Sequence, residues 1–366
     1  MLYDISMTKN CYIHIPFCIS KCNYCSFVSY PCLDKMLGYS YSLLKEISVN
    51  YAGEELETLY IGGGTPSLLD TGVLKKIINR FKFIDAPEVT IEVNPEDVTT
   101  EKIKTYLELG INRISMGVQS LDDNILQITG RRHSAQRAKD AIQMIKDAGC
   151  SNLSVDLIYG LPTQSMQSFI ADVRELLNFP ISHISLYGLK IEDDSVFGKN
   201  PPSNLPCDDE QADMYQAVCE ILPQAGFKQY EISNFAKDNY YSRHNVNYWD
   251  NNSYYGFGVS AHGYVDGFRY YNTNSIAKYM EKPDVAEYAH HVTVQEKLEE
   301  EIFLGMRKAS GVNIKQVNEK FDIDFLSKYD SPIKKYKNEF LIVENGFLRF
   351  TTKGFMLSNV ILSDFI

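Results

Sequence analysis

The sequence lacks a long basic cluster, a long apolar run and an export signal, and each absence excludes a class of protein. The formal net charge is −11, so we expect no nucleic-acid binding through phosphate contacts. No apolar run approaches the ~18 residues that a membrane-spanning helix needs. The start, MLYDISMTKN, lacks the basic and apolar parts of a signal peptide. We therefore expect a cytoplasmic protein with no transmembrane segment, although peripheral membrane contact stays open.

Tryptophan is scarce: the chain has one tryptophan, beside eight cysteines, in 366 residues. Without an export signal, these cysteines indicate reduced thiols. Five of them are scattered, and most of these are expected to be small buried side chains: Cys11, Cys32, Cys150, Cys207 and Cys219. Hydrophobic residues make up 44% and charged residues 23%, as in an ordinary globular protein.

The other three cysteines stand close together at Cys18, Cys22 and Cys25. A [4Fe–4S] cluster normally takes four thiolates, and this CxxxCxxC spacing lets one tight loop reach three of the four irons. Phe27 and Tyr30 occupy the region where a fourth cysteine would follow. The fourth iron would then be open to a ligand, as in reactive metal centres. A zinc loop completed by a distant histidine, or a disulfide pair, remains an alternative.

Short apolar runs alternate with segments of helical spacing through the first half of the chain. The predicted strands are 11–17, 58–61, 89–93, 111–118, 153–159 and 183–189, and the predicted helices are 38–49, 74–81, 102–109, 135–148 and 169–177. This alternation predicts parallel strands joined by right-handed crossovers. Six units are too few to close an eight-stranded barrel. We therefore predict an α/β fold with a partial (β/α)6 barrel.

Polar residues follow or end several of these strands, namely Gly62–Gly64, Glu92, Gln119 and Asp156. In α/β barrels the chemistry lies at the carboxyl ends of the strands, so we expect these groups to converge. A buried carboxylate is costly without a partner, which favours a polar ligand there. The glycines would let the backbone approach that ligand. A phosphate loop would need a following Gly-Lys-Ser/Thr, whereas a plain strand-to-helix turn remains open.

The cysteine spacing resembles the cluster motif of radical S-adenosylmethionine (SAM) enzymes. The segments 12–18, 112–120, 130–133 and 156–162 and the Gly-Gly-Gly-Thr-Pro-Ser run look like the oxygen-independent coproporphyrinogen III oxidase family. The resemblance runs from residue 12 to about residue 311. It implies that SAM binds the open iron. It also implies that one electron from a donor such as a flavodoxin or ferredoxin cleaves SAM to methionine and a 5′-deoxyadenosyl radical.

The resemblance also implies roles for single residues. Tyr12 would contact SAM near the cluster, and the backbone at Tyr24 would hold the adenine. Arg131 would pair with the SAM carboxylate, although the residues alone leave a solvated surface arginine open. The glycine run would contact the methionine part and the remaining polar groups would line the pocket: Gly63, Gly64, Thr65, Glu92, Gln119 and Asp156.

Two features separate the chain from the oxidase itself. Phe27 stands where the oxidase has a further cysteine, and the arm before Cys18 is shorter. The chain instead carries an HNxxYW motif, similar to the haem-binding signature of the HemW-type haem chaperones, a sister group in the same family. The motif residues are His244, Asn245, Tyr248 and Trp249.

Histidine can ligate haem iron and aromatic rings can pack against the macrocycle, so His244 is the candidate axial ligand. His262 is a candidate second ligand or propionate partner. Packing residues at a domain junction are the alternative for the HNxxYW motif. The resemblance implies a haem chaperone that delivers haem to acceptor proteins. Coproporphyrinogen oxidase activity is not expected, but that oxidase and a carrier with a merely structural cluster remain alternatives. Whether SAM cleavage is coupled to haem transfer stays open.

The last part of the chain changes character. The segment 201–206 is a predicted linker, and 208–222 and 296–308 are predicted helices. The segments 312–321 and 341–352 suggest a helix followed by a small β element. This pattern resembles the winged-helix-like α+β carboxyl-terminal domain of the family. We predict a barrel domain over 1–230 and a haem-motif segment with that domain over 231–366. Because the chain is acidic, covering of the substrate or docking of a partner is expected here, not DNA binding.

Overall fold

The computed structural model describes residues 8–366, so most of the segment tested for a signal peptide lies outside the described residues. The strands are β1 Asn10–Ile15, β2 Glu55–Gly63, β3 Lys82–Val93, β4 Arg113–Gln119, β5 Leu153–Tyr159, β6 His183–Gly188, β7 Lys228–Gln229, β8 Asn234–Ala236, β9 Tyr255–Phe257, β10 His262–Val265, β11 Phe268–Tyr271, β12 Tyr288–His291, β13 Val312–Asn313, β14 Leu341–Glu344 and β15 Phe347–Phe350.

The helices surround these strands and mostly follow them in alternation. They are α1 Met36–Asn50, α2 Thr71–Ile78, α3 Thr100–Glu108, α4 Asp123–Ile128, α5 Ala135–Asp147, α6 Met166–Leu176, α7 Val196–Lys199, α8 Asp208–Gln224, α9 Arg243–Trp249, α10 Ile276–Glu281, α11 Val294–Gly305, α12 Ile314–Phe321, α13 Phe325–Lys328, α14 Asp330–Tyr336, α15 Thr352–Met356 and α16 Ser358–Leu362. No helix of residues 8–366 is both long and apolar enough to cross a membrane.

The main sheet has nine strands in the order β7-β8-β6-β5-β4-β3-β2-β1-β9. Strands β1 to β6 are parallel to one another, and β9 adds a further parallel strand beside β1. Strands β8 and β7 continue the other edge in antiparallel fashion. The predicted α/β fold with a partial (β/α)6 barrel is confirmed.

All six predicted strands are present, and β5 has the predicted bounds. Strand β3 begins seven residues before its predicted start at residue 89. Its first half includes Pro87 and the exposed residues Asp85 and Ala86, which interrupt the apolar pattern. This half still pairs with β2, at Lys82 opposite Glu55, before a register shift. Pairing with β2 therefore extends β3 beyond the segment that its apolar side-chain pattern identifies.

The two faces of the parallel sheet differ in chemistry. On the outer face, Ile13, Ile61 and Ile91 stand opposite one another in register and are fully buried. They belong to one apolar core with Leu43 of α1 and Leu74 of α2. Because side chains alternate along a strand, the inner face carries the intervening residues, and many of these are polar. The concave side of the barrel is thus a polar interior that ends at the carboxyl ends of the strands.

Two small antiparallel sheets complete the structure, in the orders β10-β11-β12 and β13-β15-β14. The second sheet and helices α11 to α16 form the expected winged-helix-like α+β domain at the carboxyl end. The division of the chain at residue 230 stays a prediction. The main sheet takes β8 and β9 from beyond that point.

Candidate functional site

A cavity of about 420 Å³ opens at the carboxyl ends of the parallel strands. All predicted cluster and SAM residues except Tyr12 line it: Cys18, Cys22, Tyr24, Cys25, Gly63, Gly64, Thr65, Glu92, Gln119, Arg131 and Asp156. They come from the loop after β1, from strands β2 to β5 and the turn after β2, and, in the case of Arg131, from the segment between α4 and α5. The predicted convergence is therefore present in the fold.

The cysteine loop is fixed at both ends and near its middle. At its ends, the Tyr30 N–H donates to the Pro16 carbonyl at 2.7 Å, and the Cys18 N–H donates to the Tyr30 carbonyl at 3.2 Å. Between them, the Asn23 N–H donates to the Thr129 carbonyl at 2.9 Å. The backbone thus holds the three thiols in place without using their sulfur atoms.

The thiols face the cavity with few polar neighbours. The Thr65 hydroxyl lies 3.4 Å from the Cys18 sulfur, and Nη1 of Arg131 lies 3.5 Å from the Cys22 sulfur. Burial raises the pKa of Cys25 to about 11. All eight cysteines lie within residues 8–366 and are free of disulfides. Within that range, no three His, Cys, Asp or Glu side chains surround a single-metal site. A [4Fe–4S] cluster takes one thiolate on each ligated iron, and the three thiols of the loop all line the cavity.

The glycine run brings backbone to the cavity wall. Gly63 has φ +116°, a conformation that favours glycine, and its N–H donates to Oε2 of Glu92 at 3.0 Å. A Cβ on Gly64 would lie 2.7 Å from the Phe17 carbonyl oxygen. A side chain at either position would therefore displace the cysteine loop or strain the turn.

Two half-buried carboxyl groups, Glu92 and Asp156, line the cavity. Glu92 accepts a hydrogen bond from the Tyr60 hydroxyl at 2.8 Å, and burial, with a contribution from Asp156, raises its pKa to about 7. Burial also raises the pKa of Asp156, to which the Ser115 hydroxyl donates at 3.3 Å. Their partners are mostly neutral hydroxyl and amide groups. A cationic ligand would favour the ionised form of both carboxyls.

Arg131 lies between the cysteine loop and β4. Its Nη2 donates to the Gly117 carbonyl at 2.7 Å and to Oδ1 of Asn94 at 2.9 Å. Its Nε is buried and has no partner within the described residues. Neighbouring Arg132 is exposed, so the two arginines have different environments. Arg131 lines the same cavity as Glu92 and Asp156, so the cavity offers one cationic group and two carboxyl groups, which complement the charges of an amino acid.

Gln119 ends β4 with φ +67°, which is uncommon for a residue other than glycine. Backbone strain of this kind is concentrated at binding and catalytic sites. The conformation turns the chain at the cavity, where Gln119 is one of the lining residues.

Tyr12 lies one layer behind the cavity wall. Its ring stacks on Tyr60 at a centroid distance of 6.1 Å, and its hydroxyl is hydrogen-bonded to Nδ1 of His14 at 3.0 Å. Its contact with SAM stays a prediction. Tyr60 itself lines the cavity, as does Tyr187 at the end of β6. Neither tyrosine was predicted from the sequence. Tyr60 could have been, because it precedes Gly62 by two residues and therefore lies on the same face of β2.

The HNxxYW motif forms helix α9, which closes the opposite, amino-terminal end of the barrel. His244 is 1% exposed, and burial lowers its pKa to about 3. The Thr58 hydroxyl donates to Asn10 at 2.8 Å, so it accepts the Nδ1–H of His244 at 2.7 Å. Nε2 of His244 then accepts the Tyr248 hydroxyl at 2.8 Å. Both ring nitrogens are in use.

Axial ligation of haem iron by His244 stays a prediction. Ligation of iron would require the loss of its hydrogen bonds and the exposure of its ring. Asn245 and Trp249 are half-buried, and Trp249 packs 5.8 Å from the guanidinium of Arg307. A role of the four motif residues in haem binding stays a prediction, and their packing matches the alternative drawn from the sequence.

Comparisons with known proteins identify the family of the chain. Residues 12–176 match the model of the radical SAM superfamily, and residues 292–357 match that of the HemN C-terminal domain. The heme chaperone HemW of Lactococcus lactis is 36% identical over 98% of this chain and 97% of its own length. The Bacillus subtilis heme chaperone HemW is 34% identical over 98% and 99%.

The chain belongs to the HemW family of the radical SAM superfamily. The HemW of Escherichia coli is 39% identical over 69% of both chains. Among solved structures, the coproporphyrinogen III oxidase HemN of Escherichia coli superposes with a TM-score of 0.85 at 20% identity, over 97% of this chain and 89% of that one. This second likeness shows a shared fold, whereas the HemW likeness extends to sequence.

Proposed function

We propose that this protein is a cytoplasmic haem chaperone that holds a [4Fe–4S] cluster on Cys18, Cys22 and Cys25, binds SAM beside it and delivers haem to acceptor proteins. The observation that supports it most is the convergence of the three thiols and the polar strand ends in one cavity. Similarity along the whole chain to proteins named heme chaperones supports the cargo.

The residues present fit the cluster and SAM. The cysteine loop would hold three irons, and its anchored backbone would leave the fourth iron facing the cavity. Glu92 and Asp156 would take up the ammonium and ribose groups, while Arg131 would bind the carboxylate. When bound, the cluster would supply one electron, received from an external donor, for the reductive cleavage of SAM. The strand ends would orient SAM and exclude water from it.

Haem is the proposed cargo, and its delivery is the part to test first. The anaerobically reconstituted protein would be titrated with haem while its Soret band is followed, and then mixed with a haem-free acceptor such as apo-myoglobin. We expect saturable binding and transfer to the acceptor. A protein that binds no haem, or that only competes with the acceptor for haem, would contradict the proposal.

A second candidate function is coproporphyrinogen III oxidation, favoured by the fold shared with HemN. Phe27 argues against it. Its side chain is 68% exposed and lines the cavity at the position of the additional oxidase cysteine. We expect no conversion of coproporphyrinogen III by reduced, SAM-loaded protein in a chromatographic assay. Robust formation of protoporphyrinogen would reverse the ranking of the two functions.

A further inference from the structure

One arginine lies inside the barrel, where neither the cluster nor SAM gives it a role. Arg113 begins β4, is 1% exposed and is among the largest fully buried side chains. It stands opposite Thr90 of β3 and two residues before Ser115, so Arg113 and Ser115 share the inner face of β4. Burial of a guanidinium charge is costly unless other groups compensate it.

Two nitrogens of Arg113 have no fixed partner. Among residues 8–366, Nε and Nη1 have no hydrogen-bond acceptor. The arginines that form ion pairs in the same part of the chain are others: Arg132, Arg269 and Arg349. Arg131 differs as well, because its Nη2 is bound to the Gly117 carbonyl and to Asn94. The charge of Arg113 is therefore not neutralised by one adjacent group, and it acts through space on the carboxyl groups of the barrel interior.

Those carboxyl groups lie at both ends of the barrel. Burial lowers the pKa of Arg113, but the charges of Glu88 and Asp156, with nearby tyrosines, raise it overall. Burial raises the pKa of Asp156, and Arg113 opposes that rise more strongly than Arg131 does. Glu88 already accepts two backbone N–H groups of α9. Asp156 receives neutral hydroxyl groups instead, such as that of Ser115. Asp156 is thus the carboxyl group that depends more on Arg113.

The other charged and titratable groups around Asp156 do not replace Arg113. They line the same cavity and come from β2, β3, the segment after α4 and the end of β6: Tyr60, Glu92, Arg131, Tyr187, Lys190 and Glu192. Burial raises the pKa of both tyrosines, so they are neutral at pH 7. Lys190 and Glu192 pair with each other. Arg113 itself does not line the cavity, so it lies behind the wall that carries Asp156.

We propose that Arg113 is a positioning residue that keeps Asp156 ionised from behind the cavity wall, so that the carboxylate is available to the polar groups of SAM. This inference rests on the proposed function and adds to it a residue that does not touch SAM. Because the fold holds this charge in place before SAM arrives, the site needs no rearrangement on binding, which favours affinity.

The test is anaerobic calorimetry of SAM binding to the cluster-loaded full chain between pH 6 and 8, without haem. In Arg113→Met, Asp156 loses its main counter-charge, so its pKa should rise towards that of Glu92, about 7. The carboxyl group would then be mostly protonated at pH 6 and ionised at pH 8. We expect SAM to bind roughly tenfold more weakly than in the wild type at pH 6, with the difference shrinking towards pH 8.

Further variants separate the charge of Arg113 from its packing. Arg113→Lys keeps the charge and should retain most of the wild-type profile. Arg113→Gln keeps N–H donors without the charge, so it should behave like Arg113→Met and replaces it if the methionine variant does not fold. In an Asp156→Asn background, Arg113→Met should lose most of its effect, because no carboxyl group is left there to ionise.

Arg137→Met is the matched control. Arg137 is half-buried on α5, donates to the Val98 carbonyl and lies outside the cavity lining. Its removal should leave SAM affinity and the pH profile as in the wild type.

Several outcomes would overturn this inference. An equal loss of affinity at every pH, or an equal loss with and without the Asp156 carboxyl group, would show that Arg113 acts through packing alone. A lysine variant as weak as Arg113→Met would show the same. Failure of the wild type to bind SAM would contradict the proposed function itself. Wild-type binding with an unaffected Arg113→Met variant would contradict only the role given to Arg113.

Discussion

Glu88 and Glu92 lie on the same strand, β3, four residues apart and facing the same side. Glu88 lies near the amino end of the barrel, where its two oxygens accept the N–H groups of Arg243 and His244 at 2.9 and 3.0 Å. Glu92 lies at the carboxyl end, lines the cavity and has a pKa raised by burial to about 7. Two glutamates on one strand thus have different surroundings: Glu88 is hydrogen-bonded to a helix, whereas Glu92 faces a cavity.

The difference follows from what the fold supplies at each end. Helix α9 begins at Arg243, and its first N–H groups lack partners within the helix. They carry partial positive charge, so they satisfy Glu88. Glu92 receives only the Tyr60 hydroxyl and the Gly63 N–H. Its ionised form is costly without a cation. Glu88 is therefore satisfied by backbone donors of the fold, whereas Glu92 has no charged hydrogen-bond donor among the described residues.

The largest expected effect is on the cavity end and comes from the cysteine loop. Replacing Cys18, Cys22 and Cys25 with alanine removes all thiolate ligands that the loop offers. We expect complete loss of the broad visible absorption of a [4Fe–4S] cluster and of reductive SAM cleavage. Iron and sulfide analysis of the reconstituted protein checks this.

Cys32→Ala is the matched control for that experiment. Cys32 is the next cysteine along the chain and lies outside the cavity lining, so the variant should keep both the cluster and SAM cleavage. A full complement of iron and sulfide in the triple variant would refute cluster ligation by the loop.

Glu92→Gln should have the next largest effect. Loss of a charged hydrogen-bond acceptor costs about 1.5–3 kcal/mol, so SAM should bind roughly 10- to 100-fold more weakly. The pKa of about 7 also predicts a pH dependence. The carboxyl ionises as pH rises from 6 to 7.5, so wild-type affinity for the SAM ammonium should increase several-fold. Anaerobic calorimetry at each pH provides the measurement.

The glutamine variant cannot ionise and should show a flat profile over that range. A profile that rises as steeply as in the wild type would assign the titration to another group, with Asp156 the first candidate because burial raises its pKa as well.

Glu88→Gln tests the other end of the same strand. Its amide oxygen can still accept one of the two N–H groups, but the charge is lost. We expect the free energy of unfolding to fall by about 1–3 kcal/mol, with SAM affinity unchanged. Denaturant unfolding followed by Trp249 fluorescence is suited to this, because Trp249 is the single tryptophan and ends α9. A loss of SAM affinity as large as in Glu92→Gln would abolish the distinction between the two ends.

The sequence predicts the cavity better than it predicts the closed end. Parallel strands place their carboxyl ends together, so finding the strands was enough to bring Glu92, Gln119 and Asp156 to one site. Strand positions were readable because their outer residues are apolar. The first half of β3 was missed because it is held by pairing with β2, which its own side chains do not reveal.

The hydrogen bonds of the His244 ring could not be predicted from its motif. Its ring is held by Thr58, which lies 186 residues earlier in the chain, and the motif spacing contains no information about that partner. Residue type and spacing predict candidate ligands, whereas the hydrogen bonds of each candidate depend on contacts between segments far apart in the chain.

The smallest expected effect concerns Tyr60, which contacts a residue at each end of the barrel, namely Glu92 and His244. Its hydroxyl donates to Glu92, and its ring stacks on His244 at 5.2 Å with an inclination of 27°. Tyr60→Phe keeps the stacking and removes a hydrogen bond that favours the ionised carboxyl group, worth about 0.5–1.5 kcal/mol. The pKa of Glu92 should therefore rise above about 7, so SAM affinity at pH 7 should fall roughly two- to tenfold. The pH profile should shift upward by the same cause. Tyr255→Phe, which loses a bond to Glu54 outside the cavity, should leave both unchanged, and an unshifted profile in Tyr60→Phe would show that this hydroxyl does not control Glu92.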